Sequence, residues 1–284
     1  MIERTYAGAP PKTRLPAGAT DTQMHMYLPG HPAIAGGPPL PEGLPGPDAY
    51  RQVMQWLGLD RVVITQGNSH QRDNSNLLAC LAAMGDCARG VAVIDSGVSE
   101  SELARLHAAG VRGARIMDLP GGAVRLAELP VVDAIAAAAG WCVAVQFDGS
   151  TLLDRVPLLQ SLKSRYIFDH HGKFFGEGMP GPAEVAALKR LIDKGNCWFK
   201  FAGAYESSKT GAPEFADVGE VARSIATHAP ERIVWGSNWP HNLVKRTEDY
   251  INDAEMTDLV LSWLAKPEDL KTVLVDNPAD LFGF

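Results

Sequence analysis

Residues able to do chemistry recur at the downstream ends of apolar, strand-like runs. Gln23 and His25 close the first run, Gln66 and Asn68 follow the second, and Arg115 falls near the end of the fourth. Gln146 and Asp148 end the fifth, His170 and His171 the sixth, Lys200 lies in the seventh, and Asn238 with His241 follows the eighth. Imidazoles exchange protons near neutral pH, a guanidinium grips carboxylates through parallel hydrogen bonds, and carboxamides both donate and accept. A polar strand end taken alone has a structural explanation. The convergence of so many hydrogen-bonding side chains marks a site.

The elements that must carry these residues alternate along the chain. Strand-like runs span Thr20–Met26, Arg61–Thr65, Val91–Ile94, Gly113–Met117, Trp141–Phe147, Tyr166–His170, Cys197–Phe201 and Ile233–Trp235. Between them, apolar residues at three- and four-residue spacing predict helices over Asp48–Leu57, Asn74–Met84, Ser99–Ala109, Leu129–Ala139, Leu152–Leu162, Ala183–Asp193 and Phe215–His228, with an eighth at Glu255–Leu264. Gly58, Gly110, Gly140 and Gly195 stand where helix-terminating glycines belong, and Ser99 with Glu102 reads as a capping box. Eight strand–helix units close most economically into an α/β (β/α)8 TIM-like barrel, whose site lies at the C-terminal strand ends. An open doubly wound sheet is the other arrangement, but its Gly-x-Gly-x-x-Gly fingerprint is absent. Residues 1–19 are expected to form an arm over a single barrel domain of residues 20–284. The loop Tyr27–Pro47, rich in Pro and Gly, reads as a binding loop or lid.

Composition fits one globular barrel of 284 residues, with 46% hydrophobic and 21% charged residues. A net charge of −7 argues against nucleic-acid and anionic-membrane partners. Four cysteines without Cys-x-x-Cys spacing read as reduced, buried thiols, and no apolar stretch reaches membrane-spanning length. A cytoplasmic protein is the expectation, with oligomeric state left open.

Three segments resemble the amidohydrolase superfamily, in its branch related to lactonases and decarboxylases. Asp21-Thr22-Gln23-Met24-His25 stands where that family ends a strand in His-x-His. Phe168-Asp169-His170-His171-Gly172-Lys173 is similar to its strand-end histidine segment, and Trp235-Gly236-Ser237-Asn238-Trp239-Pro240-His241 to its Gly-Ser/Thr-Asp-Trp-Pro-His signature. The resemblance covers nearly everything after residue 19 and implies an amidohydrolase-type barrel acting on a small lactone.

Departures from the family pattern carry the chemistry. Gln23 replaces the first histidine, Asn238 the terminal aspartate, and Gln146 stands where metal-binding relatives place a bridging Lys or Glu. Only His25 and His170 remain as good ligands, so the expectation is no metal and no other cofactor. In lactonase relatives the aspartate resembles a general base for water, a loss worth about 10²–10⁴-fold. A substrate hydroxyl, with an effective molarity of about 10⁵–10⁸ M, outweighs that loss. The expected reaction is therefore metal-independent isomerisation of a sugar-diacid lactone, 1,5 to 1,4.

His25, His170 and Asn238 are then the catalytic candidates, with proton-transfer and oxyanion roles open between the two histidines. Arg115 is the carboxylate partner, Lys173 and Lys200 add charge, and Gln66, Asn68 and Gln146 bind hydroxyls. Gln23 and His241 complete the substrate-binding set, His241 being equally readable as a structural anchor. Asp169 is expected to face the helices. Where dicarboxylate-binding relatives place an arginine, Tyr205-Glu206 stands instead. Three alternatives stay open: a metal-independent lactone hydrolase, a zinc enzyme using His25, His170 and Asp148, and a non-catalytic sugar-acid binder.

Overall fold

The structure, a computed structural model, describes residues 2–178 and 180–284, so Met1 and Met179 lie outside it. Eight parallel strands form one sheet in the order β1 to β8: β1 (Thr20–Met24), β2 (Arg61–Thr65), β3 (Ala88–Ala92), β4 (Val111–Asp118), β5 (Cys142–Phe147), β6 (Arg165–Phe168), β7 (Cys197–Phe201) and β8 (Ile233–Trp235). The helices between them are α1 (Pro47–Leu57), α2 (Ser75–Met84), α3 (Glu100–Ala108), α4 (Leu129–Ala139), α5 (Leu152–Ser161), α6 (Pro182–Asp193) and α7 (Ala216–His228), with α8 (Asp253–Leu261) after β8. This is the expected barrel. Its seam is closed by backbone bonds of 2.8 Å from His25 N to Trp239 O and from Asn238 N to Gln23 O.

Two apolar layers hold the strands. Their outer faces join the helices in the main core, while Val63, Val91, Cys142, Ala144, Ile167, Trp198 and Val234 fill the interior. A strand buried on both faces reads as a continuous apolar run, which is why these strands are visible in the sequence. α9 (Asp269–Lys271) and α10 (Asn277–Phe282), joined by a π-helical turn at Thr272–Asp276, follow α8. Apolar periodicity predicts no element there, yet Leu281 and Phe282 join the interior layer.

Side chains on a strand alternate between faces with period two, and the interior changes character one such step along. Val63 gives way to Thr65, Ala144 to Gln146, Ile167 to Asp169 and Trp198 to Lys200, all buried. Asp169 therefore points into the barrel, which corrects the expectation that it faces the helices. The cause is that β6 ends at Phe168, and His170 and His171 follow in the left-handed region with φ of 52° and 51°. Alternation must be counted from Ile167, because it does not survive that turn.

The four helix-terminating glycines have φ between 69° and 100°. Ser99 Oγ accepts from Glu102 N, but the Glu102 carboxylate turns to Arg105, so only half of the capping box forms. The chain ahead of β1 packs over the barrel, with Trp56 Nε1 donating to Ala9 O and Asp258 accepting from Lys12 N and Thr13 N.

Candidate active site

A cavity of about 850 Å³ opens at the C-terminal strand ends. Its floor and walls include His25, Asn68, Arg115, Gln146, His170, Lys173, Glu206 and Asn238. Its rim comes from four places: Ile2 and Arg4 of the leading arm, Gly36–Glu42, Met117–Gly121 and Asn242–Thr247. The arm is thus part of the mouth, and Arg4 Nη1 donates to Glu42 O at 2.7 Å. The segment 36–42 lies within the long loop singled out above. Arg4, Arg115, Lys173, Lys245 and Arg246 face two carboxylates, Glu42 and Glu206, so the cavity is cationic in an acidic protein.

Arg115 projects inward from β4. Its Nη1 donates to Gln66 O at 2.8 Å and Asn68 Oδ1 at 3.2 Å, and its Nη2 to Gln146 Oε1 at 3.1 Å. All these acceptors are neutral, and the residue is 4% exposed. A buried cation held only by neutral partners is poised for an anion.

His25 follows β1, and its Nδ1 donates to Thr65 O at 2.8 Å. Burial, then the charge of Arg115, lowers its pKa to about 3. The ring is therefore neutral at physiological pH, and Nε2 carries the lone pair.

His170 and Asn238 meet from β6 and β8, with His170 Nε2 3.1 Å from Asn238 Oδ1. Asn238 Nδ2 donates to Tyr205 Oη at 2.9 Å and Glu206 Oε1 at 2.8 Å. Glu206 is ion-paired with Lys173. Burial pushes the Glu206 carboxyl up, but Lys173 and His170 outweigh it and hold it below its ordinary value. His170, His171, Lys173, Asn238 and His241 all adopt left-handed backbone, costing of order 1–3 kcal/mol each, a strain that clusters at functional sites. Gly203 allows the approach: a Cβ there would lie 2.9 Å from Asn238 Nδ2 and 3.1 Å from His170 Cδ2.

A second tier supports this one from beneath. Lys200 Nζ donates to Gln23 Oε1 at 2.8 Å and lies 3.1 Å from Asp169 Oδ1. Asp169 Oδ1 also accepts from His170 N and lies 3.0 Å from His170 Nδ1. Burial alone would raise the Asp169 carboxyl, but Lys200 and His170 hold it well below the carboxylate range. His241 bridges Tyr205 Oη at 2.8 Å and Asp253 Oδ1 at 3.0 Å.

The structure thus brings His25, His170, Asn238, Asn68, Arg115, Gln146 and Lys173 together around the cavity. Gln23, Gln66, Lys200 and His241, expected to bind substrate, stand behind its wall. Neighbours engage Gln23 Oε1, Gln66 Nε2, Lys200 Nζ and both ring nitrogens of His241, while Gln23 Nε2 and Gln66 Oε1 are left without a partner. His171 turns away among Phe199, Phe201 and Trp263. Glu206, Tyr205 and Asp169 contact Asn238 and His170 directly, although none of them is among the residues expected from the sequence to form the site. Tyr205-Glu206 was visible only as a departure from the family pattern.

The donor set does not fit a divalent metal. Gln23 and Asp169 are held by the Lys200 ammonium, and Asp148 turns away to accept from Ser150 N and Phe175 N. Among the described residues no three His, Cys, Asp or Glu side chains could share an ion. No helix there is long and apolar enough to cross a membrane.

Comparison with known proteins agrees with this architecture. The amidohydrolase family model matches residues 19–284. The chain is 59% identical to a D-galactarolactone isomerase of Agrobacterium fabrum over 99% of this chain and 96% of that one. It is 29% identical to a 2-pyrone-4,6-dicarboxylate hydrolase of Comamonas testosteroni, over 96% and 92% of the two chains. An apo crystal structure from Agrobacterium tumefaciens superposes with a TM-score of 0.96 at 58% identity, covering 99% of both chains. The chain belongs to the amidohydrolase family.

Proposed function

We propose that the protein converts D-galactaro-1,5-lactone to D-galactaro-1,4-lactone without a metal, one of the substrate's own hydroxyls attacking the lactone carbonyl. The observation that carries this reading is Arg115, a buried cation with only neutral partners that faces the cavity. It supplies a seat for the free carboxylate of an aldaric lactone. Asn68, Gln146 and Lys173 line the same cavity and suit its hydroxyls. His25 and His170 line the same cavity and are the groups suited to take the proton of the attacking hydroxyl and supply one to the departing ring oxygen. The name of the Agrobacterium fabrum relative supports the substrate.

Water is the losing nucleophile in this arrangement. Among the described residues Glu206 is the one carboxylate on the inner wall, and Lys173 and Asn238 already engage both of its oxygens. Asn238 itself cannot accept a proton near neutral pH. The working unit is the barrel of residues 20–284, with Ile2 and Arg4 of the arm ahead of it contributing to its mouth. Its place is the cytoplasm, in the catabolism of sugar diacids.

The test is proton NMR of freshly generated 1,5-lactone with chelator-treated protein in ¹⁸O-water, with mass analysis of the products. A 1,4-lactone without solvent oxygen is expected. Open galactarate carrying ¹⁸O, or turnover only after zinc is restored, overturns the proposal.

A further inference from the structure

The carboxamide of Asn238 could in principle face His170 with either its oxygen or its nitrogen, and the two choices give His170 opposite chemistry. The surrounding hydrogen bonds decide between them. On the far side of the amide, Glu206 Oε1 is a carboxylate oxygen and can only accept. Tyr205 Oη is the second neighbour there. Its one hydrogen goes to His241 Nδ1, because His241 uses its other ring nitrogen to donate to Asp253. Towards Asn238, Tyr205 is therefore an acceptor too. Two acceptors demand the two hydrogens of Nδ2, so Oδ1 faces His170 Nε2.

We propose that Glu206 and Tyr205 act together as positioning residues that lock the Asn238 carboxamide, making His170 the proton donor of the site and His25 its proton acceptor. With an amide oxygen 3.1 Å away, His170 Nε2 must carry hydrogen, whereas Nδ1, although 3.0 Å from Asp169 Oδ1, makes no aligned hydrogen bond and does not compete for it. At His25 the logic runs the other way. Nδ1 donates to the Thr65 carbonyl, which leaves Nε2 as a bare lone pair on a cavity-lining ring. The substrate assignment enters only in what these two rings act upon, and there the inference rests on the lactone reading above.

The proton inventory balances. As the attacking hydroxyl oxygen bonds to the carbonyl carbon, its proton passes to His25 Nε2. The ring C–O bond then breaks, its electron pair goes to the departing oxygen, and that oxygen takes the proton of His170 Nε2. His25 has gained one proton and His170 has lost one. Exchange through the solvent-open cavity restores both, helped by the repulsion between a bare Nε2 and the locked Oδ1.

The experiment is NMR of the free protein with ¹⁵N-labelled histidine, the His170 signals being identified by their loss in His170→Gln. In the unsubstituted protein at neutral pH, the hydrogen is expected on Nε2 of His170 and on Nδ1 of His25. In the double variant Tyr205→Phe/Glu206→Gln one acceptor is gone. The new carboxamide at position 206 must turn its oxygen to Lys173 and its NH2 to Asn238, so the Asn238 carboxamide reverses. The His170 hydrogen then moves to Nδ1, and kcat falls about 10²-fold, the low end of general-acid effects. KM changes by less than about threefold, because the loss lies in the chemical step. A bare Nε2 on His170 in the unsubstituted protein overturns the proposal, as does a double variant with unchanged tautomer and kcat. The nitrogen signals need no substrate. Correct tautomers in a protein that leaves galactarolactone untouched would therefore sink the lactone reading alone.

Discussion

Replacing Asn238 by Asp restores the family's carboxylate, yet the structure predicts that it does not create a hydrolase. The new oxygen would take the place of Nδ2, 2.8 Å from Glu206 Oε1. Two carboxylates at that separation repel by about 6 kcal/mol at an effective dielectric of about 20. That is about four pKa units, so the pair keeps one proton at neutral pH. A protonated or shared carboxyl cannot activate water. In the assay with ¹⁸O-water, Asn238→Asp is expected to lose isomerase kcat and to release almost no labelled galactarate. Adding Glu206→Gln removes the opposing charge, and labelled galactarate should then appear at least about 10-fold faster than from the single variant, a modest share of what a general base supplies. Hydrolysis by Asn238→Asp alone, at a rate matching the original isomerisation, would refute the coupling between Glu206 and position 238.

Three further perturbations probe other parts of the site. Arg115→Met removes the carboxylate seat, and kcat/KM should fall about 10- to 100-fold, mostly in KM, as expected for a charge-assisted contact. Steady-state kinetics check this, and an unchanged KM would place the carboxylate elsewhere. Gly203→Ala forces a side chain into left-handed backbone at φ 62° and against Asn238 and His170. It should lower kcat at least tenfold with little change in cavity affinity for the product lactone, measured by calorimetry. His171 concerns stability: burial, then His170, lowers its pKa to about 3, and neither ring nitrogen has a hydrogen-bond partner. The unfolded chain takes up a proton there below about 6.5 and the folded chain does not, so stability falls with pH through that window by about 1.4 kcal/mol per unit. Between pH 7.5 and pH 5, His171→Phe should lose about 2 kcal/mol less than the unsubstituted protein in urea unfolding. Equal losses would show that this ring does not stay neutral.

The barrel was legible because its strands are buried on both faces and its helices on one, two patterns that a sequence states openly. β7 and β8 match the expected spans to the residue, and α4 does as well. The segment 269–282 was not legible, since a π-helical turn between two short helices follows neither period. At the site, His25, His170, Asn238 and Arg115 were found from their strand-end positions. What escaped was depth. Nothing in the residue types of Gln23 or Lys200 separates a cavity wall from the support beneath it. Asp169 was misdirected because left-handed backbone at His170 breaks the alternation used to place it. Glu206 gains its role from Lys173 and Asn238, partners brought to it only by barrel closure.

The seam between β1 and β8 gives the enzyme a built-in reporter of its own folding. His25 and Asn238 hold the two ends of the strand order together through their backbones while presenting their side chains to the cavity. They are also among the most distant contacts in the chain, and pairings of such separation carry the slow, entropically costly end of folding. A partly assembled barrel, however native its middle strands, has no apposed site. Recovery of turnover during refolding therefore times the closure of the ring itself, which spectroscopic signals from helices formed earlier would not resolve.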